Sequence, residues 1–66
     1  MYLVTFTDNT EQKFTSITKA VKSIENHFQC GTEQTLQDIK KSLRLVGMTQ
    51  VKHCMDETIN CWIEKA

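Results

Sequence analysis

The sequence has no surplus charge, because eight basic residues balance eight acidic ones over its 66 positions. No global field therefore draws it toward nucleic acid or an anionic membrane surface. It also has no apolar run near the roughly twenty residues needed to span a bilayer, which excludes a membrane helix. The opening stretch Met1-Tyr2-Leu3-Val4-Thr5-Phe6 is apolar. Thr7-Asp8-Asn9 interrupts it and no basic region precedes it, unlike a secretory signal. Cysteine is scarce and odd in number, at three. Without an export signal, that count argues against a disulfide framework and for a reducing, cytoplasmic setting. Proline is absent and glycine occurs twice, so there is no linker, repeat, low-complexity tract or Gly-rich phosphate loop.

A chain this short makes one domain, 1–66, whose core only marginally offsets an ordering cost of roughly 1.5 kcal/mol per residue. Every large apolar side chain is then needed for folding. An enclosed pocket of roughly 300 Å³, the usual size of a small-molecule site, would hollow out that core. Neither catalysis nor a cofactor is therefore expected.

The clearest signal in what is present runs from Ser16 to Gly31. Ile17, Ala20, Val21, Ile24 and Phe28 recur at three-and-four spacing and mark one face of a helix, with Thr18, Lys19, Lys22, Ser23, Glu25 and Asn26 toward water. Ser16 can cap its first turn, and Gly31 can take the left-handed conformation that ends it. Before this helix, Tyr2 to Thr7 alternates as a strand does. Asp8-Asn9-Thr10 supplies turn formers, and Glu11 to Thr15 returns as a second strand. After it, Thr35-Leu36-Gln37-Asp38 fits a capping box, with Thr32 as an earlier start. Leu36, Ile39, Leu43 and Val46 form a stripe that Gly47 closes.

Residues 49–66 fit two patterns. As a helix, Val51, Cys54, Met55, Ile59, Trp62, Ile63 and Ala66 share about half the circumference, leaving Cys61 off the stripe. As a hairpin, Ile59, Cys61 and Ile63 alternate properly, but Asp56-Glu57 makes a poor tight turn because the favoured turns need positive φ. The helix is the preferred reading. The expected fold is α+β, an N-terminal β-hairpin packed on three helices (ββααα). The alternative is ββαα followed by a C-terminal β-hairpin.

Four constellations bear on function. His27 and Cys30 form an H-x2-C pair that Cys54 and Cys61, or His53, could complete as a tetrahedral zinc site. That spacing lacks the close C-x2-C pairs of strong zinc motifs, and buried thiols are the simpler reading. His27 and Cys30 could also serve as base and nucleophile, but at a helix C-terminus the dipole raises a thiol's pKa when activation requires lowering it. A third constellation resembles a helix-turn-helix, Leu36 to Ile63 around Gly47-Met48-Thr49, with Lys40, Lys41 and Arg44 as its basic patch. Its second helix would present Asp56, Glu57 and Glu64 to solvent, and these repel phosphates.

The fourth constellation is a protein-binding surface. If helices cover one face of the hairpin, the other exposes either Tyr2, Val4 and Phe6 or Leu3 with threonines, beside free strand edges. Tyr2, Val4, Phe6 and Trp62 are then the candidate partner-binding residues, with a homodimer as another way of covering them. The reading that results is a small non-catalytic protein-binding module. Its sharper form is a virus-encoded inhibitor of a host enzyme or defence complex, suggested by size and compactness and not by a motif. A DNA-binding regulator using Lys40, Lys41 and Arg44 is the alternative, and a zinc-stapled module comes third.

Overall fold

In the computed structural model, which describes all 66 residues, Tyr2–Phe6 (β1) and Glu11–Phe14 (β2) form the hairpin that the alternation implies. They pair antiparallel, with Tyr2 opposite Phe14 and Thr5 opposite Glu11. The turn works because Asn9 accepts a left-handed φ of 68°, which short polar side chains tolerate. The Asp8 carboxylate accepts the Thr10 N–H at 2.9 Å and so fixes the loop's shape.

Helix α1 spans Ile17–Phe28 and buries Ala20, Val21, Ile24 and Phe28, the face marked by the periodicity. Its end differs from expectation. Gln29, not Gly31, takes the left-handed conformation at φ 61°, two residues before the glycine. Ser16 has the extended backbone of a cap, but its hydroxyl makes no capping bond. Helix α2 spans Leu36–Leu45 and buries Ile39 and Leu43. Here the cap is formed, since Thr35 Oγ1 accepts the Asp38 N–H at 3.1 Å. Gly47 has φ 92°, and its N–H donates to the Leu43 carbonyl at 3.0 Å, closing the helix as a C-terminal glycine does.

The third helix does not exist. Met48–Lys52 (β3) and Asn60–Lys65 (β4) are strands, so the architecture is the ββαα plus C-terminal hairpin alternative. The turn that counted against a hairpin is not a tight one. Residues 53–59 form a longer loop built on side-chain acceptors: His53 Nδ1 takes the N–H groups of Met55 and Asp56 at 3.1 and 3.2 Å. The Asp56 carboxylate takes both the backbone N–H and the hydroxyl of Thr58, at 3.0 and 2.7 Å. A helix would also have buried Met55, which is 88% exposed, whereas the strands bury Val51, Cys61 and Ile63 and turn Trp62 outward. With no second helix after Gly47, the helix-turn-helix between Leu36 and Ile63 is lost as well.

The sheet order is β2-β1-β4-β3. Strand β4 lies between β1 and β3, with Ile63 opposite Val4 on one side and Thr49 on the other. The chain ends are joined where the Ala66 N–H donates to the Met1 carbonyl at 2.9 Å. Both helices cover one face of the sheet. Val4, Phe6, Val51, Cys61 and Ile63 meet the helical face formed by Ile24, Phe28, Ile39 and Leu43 in a single core. The other sheet face has no layer over it. Neither helix is long and apolar enough to cross a membrane.

Candidate functional site

Because side chains alternate along a strand, burying Val4, Phe6, Cys61 and Ile63 forces Leu3, Thr5 and Trp62 onto the uncovered face. Trp62 lies opposite Thr5 on β1 and Gln50 on β3, and it remains 45% exposed. Leu3 and Met48 both pair with Glu64, so they flank Trp62 diagonally; Met48 is 43% exposed. Exposed Glu64, next to Trp62 on this face of β4, lies between Leu3 and Met48, and Glu11 and Lys13 on β2 and Lys52 on β3 border the face with charges of both signs. The result is a hydrogen-bonded face with one large aromatic at its middle among polar and charged side chains of both signs.

Of the four residues expected to contact a partner, Trp62 alone is on this face. Val4 and Phe6 are core residues, and Tyr2 is half-buried with Phe14 against that core. The hairpin therefore exposes Leu3 with threonines, the other of the two faces it could have shown. Met48 carries no such signal in the sequence, where Gly47-Met48-Thr49 reads as a turn before a helix. The edges also differ from expectation, since β1 is interior and only β2 leaves a hairpin edge free. Strand β3's edge is partly occupied. Thr32 bridges His53, the Glu33 N–H donates to the Lys52 carbonyl at 2.9 Å, and Gln34 Oε1 takes the Lys52 N–H at 3.1 Å.

That bridge brings together a second group of residues. Cys30, His53 and Cys54 place one sulfur or nitrogen each within 4.8 Å of one another, with Cys30 Sγ 3.2 Å from His53 Nε2. Its membership is not the His27, Cys30, Cys54 and Cys61 set. His27 lies instead against Phe6, ring centroids 4.1 Å apart, and Cys61 is wholly buried in the core, where desolvation pushes its thiol up to about 12. The side-chain interaction with Cys30, in which the Cys54 S–H is the donor, holds the Cys54 thiol above its ordinary value. Neither of the two cavities is lined by a residue of this cluster.

The cations Lys40, Lys41 and Arg44 are exposed along α2, and Arg44, in its last turn, complements the negative end of its dipole. Lys40 and Arg44 also edge a cavity of about 180 Å³ with Tyr2, Ile17, Leu43 and Lys65. That volume is below the roughly 300 Å³ at which small-molecule sites begin. All three cations join Gln37 and Asp38 around a groove of about 380 Å³ on α2 that no hydrophobic residue lines. Comparison with protein-family models, curated proteins and solved structures finds no match.

Proposed function

We propose that the protein is a non-catalytic binding module for another protein, engaged through the uncovered sheet face around Trp62. The observation that supports this reading is Trp62 itself, a large aromatic held half-exposed at the centre of a hydrogen-bonded sheet between Thr5 and Gln50. Central aromatics inside a polar rim are the usual energetic anchors of protein interfaces. A sheet already fixed by its own hydrogen bonds loses little entropy when a partner covers it. Blocking a partner's surface, as an inhibitor of an enzyme or defence complex does, is the narrower form of this proposal. The nucleic-acid alternative has lost the helix that would have entered a groove, and of its three cations Arg44 is accounted for by the end of α2.

The test is affinity capture from nuclease-treated lysate of the native host, with wild type compared against Trp62→Ala and Lys41→Glu/Arg44→Glu. About 45% of a Trp side chain's roughly 250 Å² is about 110 Å² still to be buried, worth about 3 kcal/mol at about 25 cal/mol per Å². That corresponds to roughly a hundredfold in Kd. A protein recovered in near-equal amount by wild type and by the charge variant, and lost with Trp62→Ala, is the expected result. Capture that disappears with nuclease, or that Trp62→Ala leaves unchanged, would overturn the proposal.

A further inference from the structure

The count of three cysteines resolves once their places in the fold are known. Cys61 is enclosed in the core and its thiol is suppressed by desolvation, so it takes no part in exchange chemistry. Cys30 and Cys54 remain, an even pair. They are brought side by side by the Thr32–His53 bridge, their sulfurs lie within 4.8 Å, and Cys54 is exposed. His53 is oriented by its own loop. Its Nδ1 accepts two backbone N–H groups, which assigns the ring proton to Nε2, the atom 3.2 Å from Cys30 Sγ. The imidazole therefore donates to that sulfur, while the Cys30 thiol donates to the Gly31 carbonyl at 3.0 Å, and the two bonds fix the sulfur's position.

The same three residues could be read as soft-metal ligands, but the hydrogen bonds argue otherwise. A ligating imidazole presents a lone pair to the metal and carries its proton on the other nitrogen. Here the lone pair is taken by the amides of Met55 and Asp56, and the proton points at the sulfur. A metal at Nε2 would have to break both bonds that shape the loop.

We propose that Cys30 and Cys54 form a reversible disulfide by exchange with low-molecular-weight disulfides such as glutathione disulfide, with His53 as the positioning residue for Cys30. Cys30 loses its proton to solvent and attacks one glutathione sulfur; the glutathione S–S bond breaks and one glutathione leaves as thiolate. Cys54, likewise deprotonated, attacks the Cys30 sulfur of the mixed disulfide. The Cys30–Cys54 bond forms and the second glutathione leaves. Two protein thiols are oxidised, one disulfide is reduced to two thiols, and the released thiolates take up the protons. The bond ties the α1–α2 connection to the β3–β4 loop, and excess reduced thiol reverses it.

The experiment incubates the full-length reduced protein in a series of glutathione redox buffers, alkylates the free thiols, and reads intact mass, peptide linkage and thermal melting. Wild type is expected to lose two thiols as a single internal Cys30–Cys54 link, recover them in excess reduced glutathione, and gain roughly 10 °C or more in Tm when linked. Cys54→Ser, a change at an exposed position, should stop at a glutathione adduct on Cys30. In that background His53→Asn retains a side-chain oxygen to accept the loop amides but removes the Nε2 donor, and it should slow adduct formation at Cys30 while leaving the Tm of the reduced protein unchanged. Adducts on both cysteines without an internal link would overturn the proposal. Stoichiometric zinc that protects both thiols in reduced wild type, and raises its Tm, would replace it with a metal site.

Discussion

Ile63→Ala and Trp62→Thr, at neighbouring positions of β4, separate the two faces of the sheet. Ile63 is wholly enclosed between Val4 on β1 and Thr49 on β3, beneath the helical layer. Truncating a buried isoleucine to alanine costs about 2–5 kcal/mol, depending on how far the surroundings collapse into the space. Strands hydrogen-bonded on both sides of β4 resist that collapse, so about 3–4 kcal/mol is expected. A domain of this length has about 3–10 kcal/mol of stability in all, so the variant loses a third of it or more. With a urea slope of about 1 kcal/mol per M, the midpoint should fall by about 3 M, or the variant should be unfolded without denaturant. Trp62→Thr removes cross-strand contacts with Thr5 and Gln50 but keeps a β-branched residue, a change worth about 1–2 kcal/mol. Urea unfolding followed by far-ultraviolet circular dichroism reads both, since the second variant lacks the chain's single tryptophan. If Trp62→Thr were the costlier, β4 would be displaced by one residue, the shift that exchanges the faces of a strand, and both the core and the proposed surface would be wrong.

The helix ends give a paired test. Gln29→Gly should stabilise by about 1 kcal/mol, because Gln29 holds a left-handed φ that glycine adopts freely; Gly47→Ala should cost about 1 kcal/mol at φ 92° although nothing crowds the added carbon. Chemical denaturation measures both, and equal effects of the same sign would refute the assignment of those conformations. Acid should also destabilise the fold through its loops. The hydrogen bonds from Thr10 to Asp8 and from Thr58 to Asp56 hold both carboxyls below their ordinary 3.8, so folding binds fewer protons than the unfolded chain does there. Their contribution is present above that value and is lost as pH falls through the lower folded values. Melting followed from pH 5 to pH 2 should show a drop that Asp8→Asn/Asp56→Asn flattens, and an unchanged slope in the double variant would contradict the loop geometry.

Where structure is decided within a few residues, it could be read directly from the chain. The Asp8-Asn9 turn, the α1 face from Ala20 to Phe28, the Thr35 cap and the Gly47 end each follow from local chemistry. The left-handed Gln29 carries no comparable signal, since a nearby Gly31 is the better residue for that conformation. Residues 49–66 satisfied both a helical and a strand period. What separated them was the partner of β4, which is β1 at the far end of the chain, with Tyr2 opposite Lys65. Pairing on both sides supplies the hydrogen bonds and the buried face that make Cys61 and Ile63 core and Trp62 surface. The candidate sites depend on the same long-range pairing. His27 is the histidine three residues from Cys30, yet the bridge between Thr32 and His53 brings the other histidine to its sulfur. Turns and helix faces are settled by a residue's immediate neighbours, and so the sequence by itself determined them. Which strand lies beside which, and therefore which side chains meet or face water, depends on burying one shared apolar face, and only the tertiary structure decided it.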